Sequence, residues 1–129
     1  MSRTLHNLVG AFILCLCILR APEAAADAAR VENVTVRAET GGTYSFAVTI
    51  RHGDTGWSHY ADKFDVLTRD GKVLGTRVLY HPHVNEQPFT RSLGRVQVPL
   101  GVTEVIVRAH DKVHGDGKKT FTVKLPPRR

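Results

Sequence analysis

Apolar and polar residues alternate along most of this chain, which is the pattern of half-buried β-strands. In residues 43–50 (TYSFAVTI) the apolar side chains occupy every second position, and the same alternation occurs in residues 103–109 (TEVIVRA) and 119–125 (KTFTVKL). Further strands are predicted over residues 31–38, 63–68, 72–80 and 92–98. After residue 26 no stretch sustains a helical period, so the pattern predicts strands only.

Short turn sequences separate these strands. Residues 39–42 (ETGG), 69–71 (RDG) and 99–101 (PLG) combine glycine, proline and aspartate, which favour tight turns. About seven short strands without a helix predict an all-β fold, an immunoglobulin/fibronectin-III-like two-sheet sandwich. A small barrel is the alternative.

The first 26 residues have the layout of a secretory signal peptide. Arg3 is followed by an apolar run over residues 8–19 and then by small residues up to Ala26, after which cleavage is predicted. An uncleaved anchor is the alternative, but the apolar run is short for a membrane span. We therefore predict a signal peptide over 1–26, a single β-sandwich domain over 27–129 without a membrane span, and a periplasmic or secreted location.

Cleavage would also remove Cys15 and Cys17, the two cysteines of the chain, so the mature protein would contain neither a disulfide nor a thiolate ligand. The full chain has a net charge of +6, and most of its basic residues are spread along the sequence. Since an exported protein seldom meets nucleic acid, we attribute this charge to solubility and to attraction toward anionic surfaces. Nucleic acid is therefore not an expected partner.

The histidines lie in the long connections between the predicted strands. If successive strands run antiparallel, connections 52–62, 81–90 and 110–118 share one end of the sandwich, and the short turns share the other. All six histidines that follow residue 26 fall in these three connections: His52, His59, His81, His83, His110 and His114. The sequence thus predicts a cluster of imidazoles at one end of the fold.

Neutral imidazole is the commonest metal ligand in proteins, and a nitrogen-rich set without thiolates suits Cu(II) or Zn better than Fe. Ca and Mg, which require oxygen ligands, are disfavoured. The predicted ligands are His59, His81, His83, His110 and His114. The carboxylates predicted to orient a ligand or to bind the ion directly are Asp62, Glu86 and Asp111. His52 is a weaker candidate, because it continues the apolar face of residues 44–50 and can instead close the core.

Three segments carry a resemblance to known proteins: GWSHYADKFDV (56–66), VLYHPHVNEQPFTRSL (78–93) and VRAHDKVHG (107–115). They resemble a largely uncharacterised family of small exported bacterial β-sandwich proteins with several histidines at one loop end. A weaker resemblance is to superoxide reductases, whose iron is held by four histidines and a cysteine of a Cys-x-x-His motif. Here Asp111 stands at the cysteine position before His114, so this resemblance implies the architecture but not the reaction.

The leading functional hypothesis is a periplasmic metal-binding protein that sequesters, carries or delivers Cu(II) or Zn. One alternative is a mononuclear iron or copper redox enzyme that acts on a small oxygen species. Another is an extracytoplasmic adaptor domain that binds a second periplasmic protein through these loops. No serine nucleophile or paired carboxylates stand out, which disfavours hydrolytic chemistry.

Overall fold

The computed structural model describes residues 28–129 together with Cys17. Apart from Cys17, the predicted signal peptide lies outside the described residues, and so does its cleavage site. Eight strands form: β1 (Arg30–Ala38), β2 (Thr43–Arg51), β3 (Ala61–Leu67), β4 (Val73–Val78), β5 (Phe89–Gln97), β6 (Glu104–Asp111), β7 (Gly115–Asp116) and β8 (Phe121–Lys124). The described part of the chain contains no helix, which confirms the predicted all-β class.

Two antiparallel sheets make up the sandwich. One has the strand order β1-β2-β5, and the other has β4-β3-β6, with both β7 and β8 paired to β6. All seven predicted strands are present, with ends that differ by at most three residues. The two-residue strand β7 is additional and lies within the predicted connection 110–118.

The core lies between the sheets and follows the predicted alternation. In β2 and β6 every second side chain is buried, and Phe46, Val48 and Ile50 from one sheet meet Val105 and Val107 from the other, all with no exposed surface. Full burial of an aliphatic or aromatic side chain of this size stabilises the fold by about 1.5–3 kcal/mol. The inward faces of β2 and β6 are therefore firmly fixed. At the end of these faces, His52 is the next inward residue after Ile50, and Asp111 is the next after Ala109.

The long connections 52–60, 79–88 and 112–120 lie together at one end of the sandwich. The backbone joins them, since the Leu79 amide donates to the Asp62 carbonyl (2.8 Å) and the Lys112 amide donates to the Tyr60 carbonyl (3.2 Å). The short turns lie at the opposite end, as the antiparallel order requires. Within the described residues there is no helix long and apolar enough to cross a membrane.

Candidate metal centre

Four side chains at the end with the long connections bring their donor atoms close together. They are His52, His59, Asp111 and His114, and one donor atom from each lies within 4.8 Å of the others. His52 and His59 come from the connection after β2, whereas Asp111 ends β6 and His114 follows it. The group therefore links the two sheets at the rim of the core.

His52 and Asp111 form the floor of this group. Each occupies the inward position that follows the last apolar residue of its strand, and both side chains have no exposed surface. His52 Nε2 lies 3.9 Å from Asp111 Oδ2. The alternation that builds the core thus also places a buried imidazole opposite a buried carboxylate.

His59 and His114 form the outer side. His59 Nε2 and His114 Nδ1 each lie 3.2 Å from Asp111 Oδ1, and the two side chains are 19% and 20% exposed. A tight turn sets the position of His59, whose amide donates to the Gly56 carbonyl and whose carbonyl accepts from the Thr55 amide. The group is consequently closed on the core side and open to solvent beside these two rings.

Asp111 supplies a negative charge to the group. Burial alone would raise the pKa of this carboxyl, but hydrogen bonds from the His114 and Val113 amides (2.8 and 2.9 Å) favour the anion. Together with His52 nearby and the Ala29 amide, they hold the pKa of Asp111 below its usual value. The carboxylate is therefore ready to bind a cation without first losing a proton.

Two ring nitrogens of the group have no hydrogen-bond partner. Nε2 of His52 and Nε2 of His59 are buried and unpaired, since the approach of His59 to Asp111 is not aligned as a hydrogen bond. A buried polar atom without a partner costs about 1–3 kcal/mol. A metal ion between these nitrogens would give both of them a ligand bond, so the residues present fit such an ion.

Asp54 contacts the ring nitrogen of His52 that faces away from the group. Its Oδ1 lies 2.5 Å from His52 Nδ1 and also accepts from the Ala61 amide (2.9 Å), while its Oδ2 accepts from the His83 amide (2.7 Å). A carboxylate on Nδ1 makes that nitrogen the N–H donor and leaves the Nε2 lone pair directed into the group. Asp54 therefore orients a donor and connects two of the long connections.

His83 and His81 lie next to Asp54 and outside the four-residue group. His83 is 5% exposed and stacks on Phe89 with ring centroids 3.9 Å apart, and the His81 ring lies 4.6 Å from it on a tilt of 39°. Burial, with Arg91 adding to it, lowers the pKa of His83, which favours the neutral imidazole. His83 Nδ1 lies 3.9 Å from Oδ2 of Asp54, the residue that also contacts His52.

The other predicted residues form pairs of their own. His110 precedes Asp111 in β6 and so faces the opposite side of the sheet, where its Nδ1 lies 2.5 Å from Asp62 Oδ1. Glu86 pairs with Arg91 (3.3 Å) and not with a histidine.

Of the predicted site residues, His59, His114 and Asp111 lie in the four-residue group. A ligand role for His81, His83 or His110 stays a prediction.

From the sequence, His52 ranked below the other histidines and Asp54 was not singled out, and the structure places His52 in the four-residue group with Asp54 against it. The inward position of both residues follows from the strand spacing. His52 comes two positions after Ile50 of β2, and Asp54 comes two positions after His52. The apolar face of β2 made His52 resemble a core residue, which is correct for its burial but overlooks its unpaired nitrogen. The position of His52 in the sequence could not show that its Nε2 has no hydrogen-bond partner, since that depends on which residues lie across the sandwich.

Three imidazole nitrogens and one carboxylate form a donor set typical of Zn and Cu(II) sites. The set contains too few oxygens for Ca and no sulfur for Cu(I). The described residues thus include a His/Asp group that could hold a transition metal.

No family model matches this chain, and no solved structure matches it either. A protein of Halomicrobium mukohataei with the name "Putative lipoprotein" is 43% identical to it over 95 residues. The match covers 74% of this chain and 46% of that protein, so the chain spans about half the length of this relative. The likeness to superoxide reductases gains no support from these matches.

Proposed function

We propose that this chain is an exported protein that binds one Cu(II) or Zn ion through His52, His59, His114 and Asp111. The observation that carries the proposal is the convergence of four donor atoms within 4.8 Å, in a group where two buried ring nitrogens have no hydrogen-bond partner. The anionic state of Asp111 supports it, since a carboxylate neutralises part of the charge of the ion.

Export is supported by two independent features. Residues 1–26 have the layout of a signal peptide, and the relative from Halomicrobium mukohataei carries a lipoprotein name. In the periplasm the protein would sequester the ion, carry it, or deliver it to another protein. The partial exposure of His59 and His114 favours carriage or delivery, because an ion there can be reached from solution.

Metal titration of wild-type protein and matched histidine variants tests the proposal. Wild-type protein should bind one Cu(II) or Zn ion in calorimetry, and His114→Ala should weaken this binding at least about tenfold because a ligand is lost. His110→Ala is the control, since His110 lies in the strand that ends just before His114 but pairs with Asp62 outside the group. Equal affinity in His114→Ala and wild type, or no binding at all, would refute the proposal.

A second candidate is an adaptor that docks on another exported protein. Four large apolar side chains are exposed in the same long connections: Trp57 (67%), Tyr80 (76%), Val84 (52%) and Val113 (59%). Exposed aromatic and aliphatic groups of this kind are common at protein interfaces. Partner binding that survives removal of all metal with a chelator would favour the adaptor over the metal carrier.

A further inference from the structure

The backbone nitrogen of Ala29 lies at the candidate metal centre. It donates to Asp111 Oδ2 at 3.4 Å, the same oxygen that lies 3.9 Å from His52 Nε2. Ala29 itself is 1% exposed. The start of the described domain therefore places a main-chain nitrogen beside Asp111, one of the four donors, on the carboxylate oxygen that also faces His52.

Two backbone contacts keep this nitrogen in place. The Val31 amide donates to the Lys119 carbonyl at 3.1 Å, which ties the start of β1 to the connection after β7. The Ala29 carbonyl packs so closely on Gly117 that a Cβ at Gly117 would lie 1.8 Å from its oxygen. Residue 29 is thus fixed against the second sheet, although it lies just before the first strand.

The sequence offers two bonds at which a signal peptidase could cut. The enzyme requires small residues one and three positions before the bond. Ala24 and Ala26 satisfy this rule for cleavage after Ala26, whereas Ala26 and Ala28 satisfy it for cleavage after Ala28. Because cleavage accompanies export, before folding, the burial of Ala29 in the folded protein does not protect the second bond.

We propose that the mature chain begins at Ala29 and that its α-amine is a fifth ligand of the metal centre, an inference that rests on the proposed function. Hydrolysis of the Ala28–Ala29 bond by water releases the signal peptide with a carboxylate on Ala28 and leaves an ammonium group on Ala29. On metal binding the ammonium group releases a proton and its lone pair binds the ion. A neutral internal amide is a far poorer donor, because its lone pair is delocalised into the carbonyl.

Processing and metal binding are then coupled. A chain cut after Ala26 would keep an amide at Ala29 and would offer the ion the four side-chain donors without the Ala29 amine. A chain cut after Ala28 would offer four nitrogens and one carboxylate oxygen, a set well suited to Cu(II). The choice of cleavage bond would therefore set the affinity of the centre.

The full chain, exported with its own signal, allows a direct test. Intact mass of the exported wild-type protein should show Ala29 as the first residue. Ala28→Gln places a large residue before the second bond and should move cleavage to Ala26, with Cu(II) affinity lowered about tenfold or more. Ala24→Gln is the matched control, because it blocks only the first bond and should give the wild-type mature chain and affinity.

Electron paramagnetic resonance of the Cu(II) form provides a readout that needs no variant. With ¹⁵N introduced only through alanine, the Ala29 amine is the one labelled nitrogen expected on the ion, so the nitrogen splitting should change from that of the unlabelled protein. A mature chain that begins at another residue, or an unchanged spectrum, would overturn the inference. If Cu(II) binds equally well to chains cut at either bond, only this inference fails; if no chain binds either Cu(II) or Zn, the proposed function fails with it.

Discussion

At the scale of single residues, Asp54 is the buried carboxylate that contacts the His52 ring beside the proposed centre. It is 5% exposed and accepts from the Ala61 amide, the His83 amide and the His52 ring. It binds no ion in the proposed arrangement, but it sets the direction of the His52 lone pair. Carboxylates in this role are typically worth about 10–100-fold in metal affinity.

We expect Asp54→Asn to weaken Zn or Cu(II) binding by about 10–100-fold, because the amide orients the His52 ring less strongly. Calorimetric titration measures this change. The matched control is Asp62→Asn, since Asp62 holds His110 at the same 2.5 Å distance but outside the four-residue group. If both variants lose affinity equally, the effect of Asp54 does not pass through His52.

At the scale of structural elements, the contact between the start of β1 and the segment after β7 closes the sandwich beside the proposed centre. Gly117 is essential to it, because a Cβ there would lie 1.8 Å from the Ala29 oxygen and 3.0 Å from the Ala29 carbonyl carbon. Both are backbone atoms, so neither can move aside as a flexible side chain would.

Gly117→Ala should therefore lower the free energy of unfolding by roughly 1–3 kcal/mol, the usual cost of overpacking. Urea denaturation measures it. Gly53→Ala is the control, because a Cβ at Gly53 would meet nothing within 4 Å and its backbone is not left-handed. A Gly117→Ala protein as stable as Gly53→Ala would show that the segment around residue 29 is not held against the segment after β7.

At the scale of the whole molecule, the proposed centre joins the two sheets, since His52 and His59 follow β2 whereas Asp111 and His114 belong to the end of β6. An ion bound there should oppose separation of the sheets. At a free ion concentration about 100 times the Kd, binding to the folded state adds about 2.7 kcal/mol to its stability.

For a domain of about 100 residues, this corresponds to a rise in Tm of roughly 10 °C or more. Scanning calorimetry with Zn and with a chelator measures it. The rise should persist in His110→Ala and largely disappear in His52→Ala. A Tm that does not respond to Zn in the wild-type protein would contradict the proposed centre.

Much of the fold follows from local sequence. Side chains in a strand alternate between two faces, so the spacing of residues 44–50 and 105–109 predicts both the strands and their buried faces. The order of long and short connections then places the histidine-rich loops at one end. Local sequence missed β7, because a two-residue strand is shorter than any period that alternation can reveal.

The amino-acid sequence by itself determined the β-strands, the sandwich and the gathering of histidines at one end, since each depends on periodicity and chain direction. Only the tertiary structure decided which of these histidines meet. Adjacent residues such as His110 and Asp111 face opposite sides of a strand, and packing of the two sheets brings His52 and His59 to Asp111 and to His114, which follows it by three residues. The distances between donor atoms depend on how separate segments of the chain pack together, and a local sequence pattern does not contain those distances.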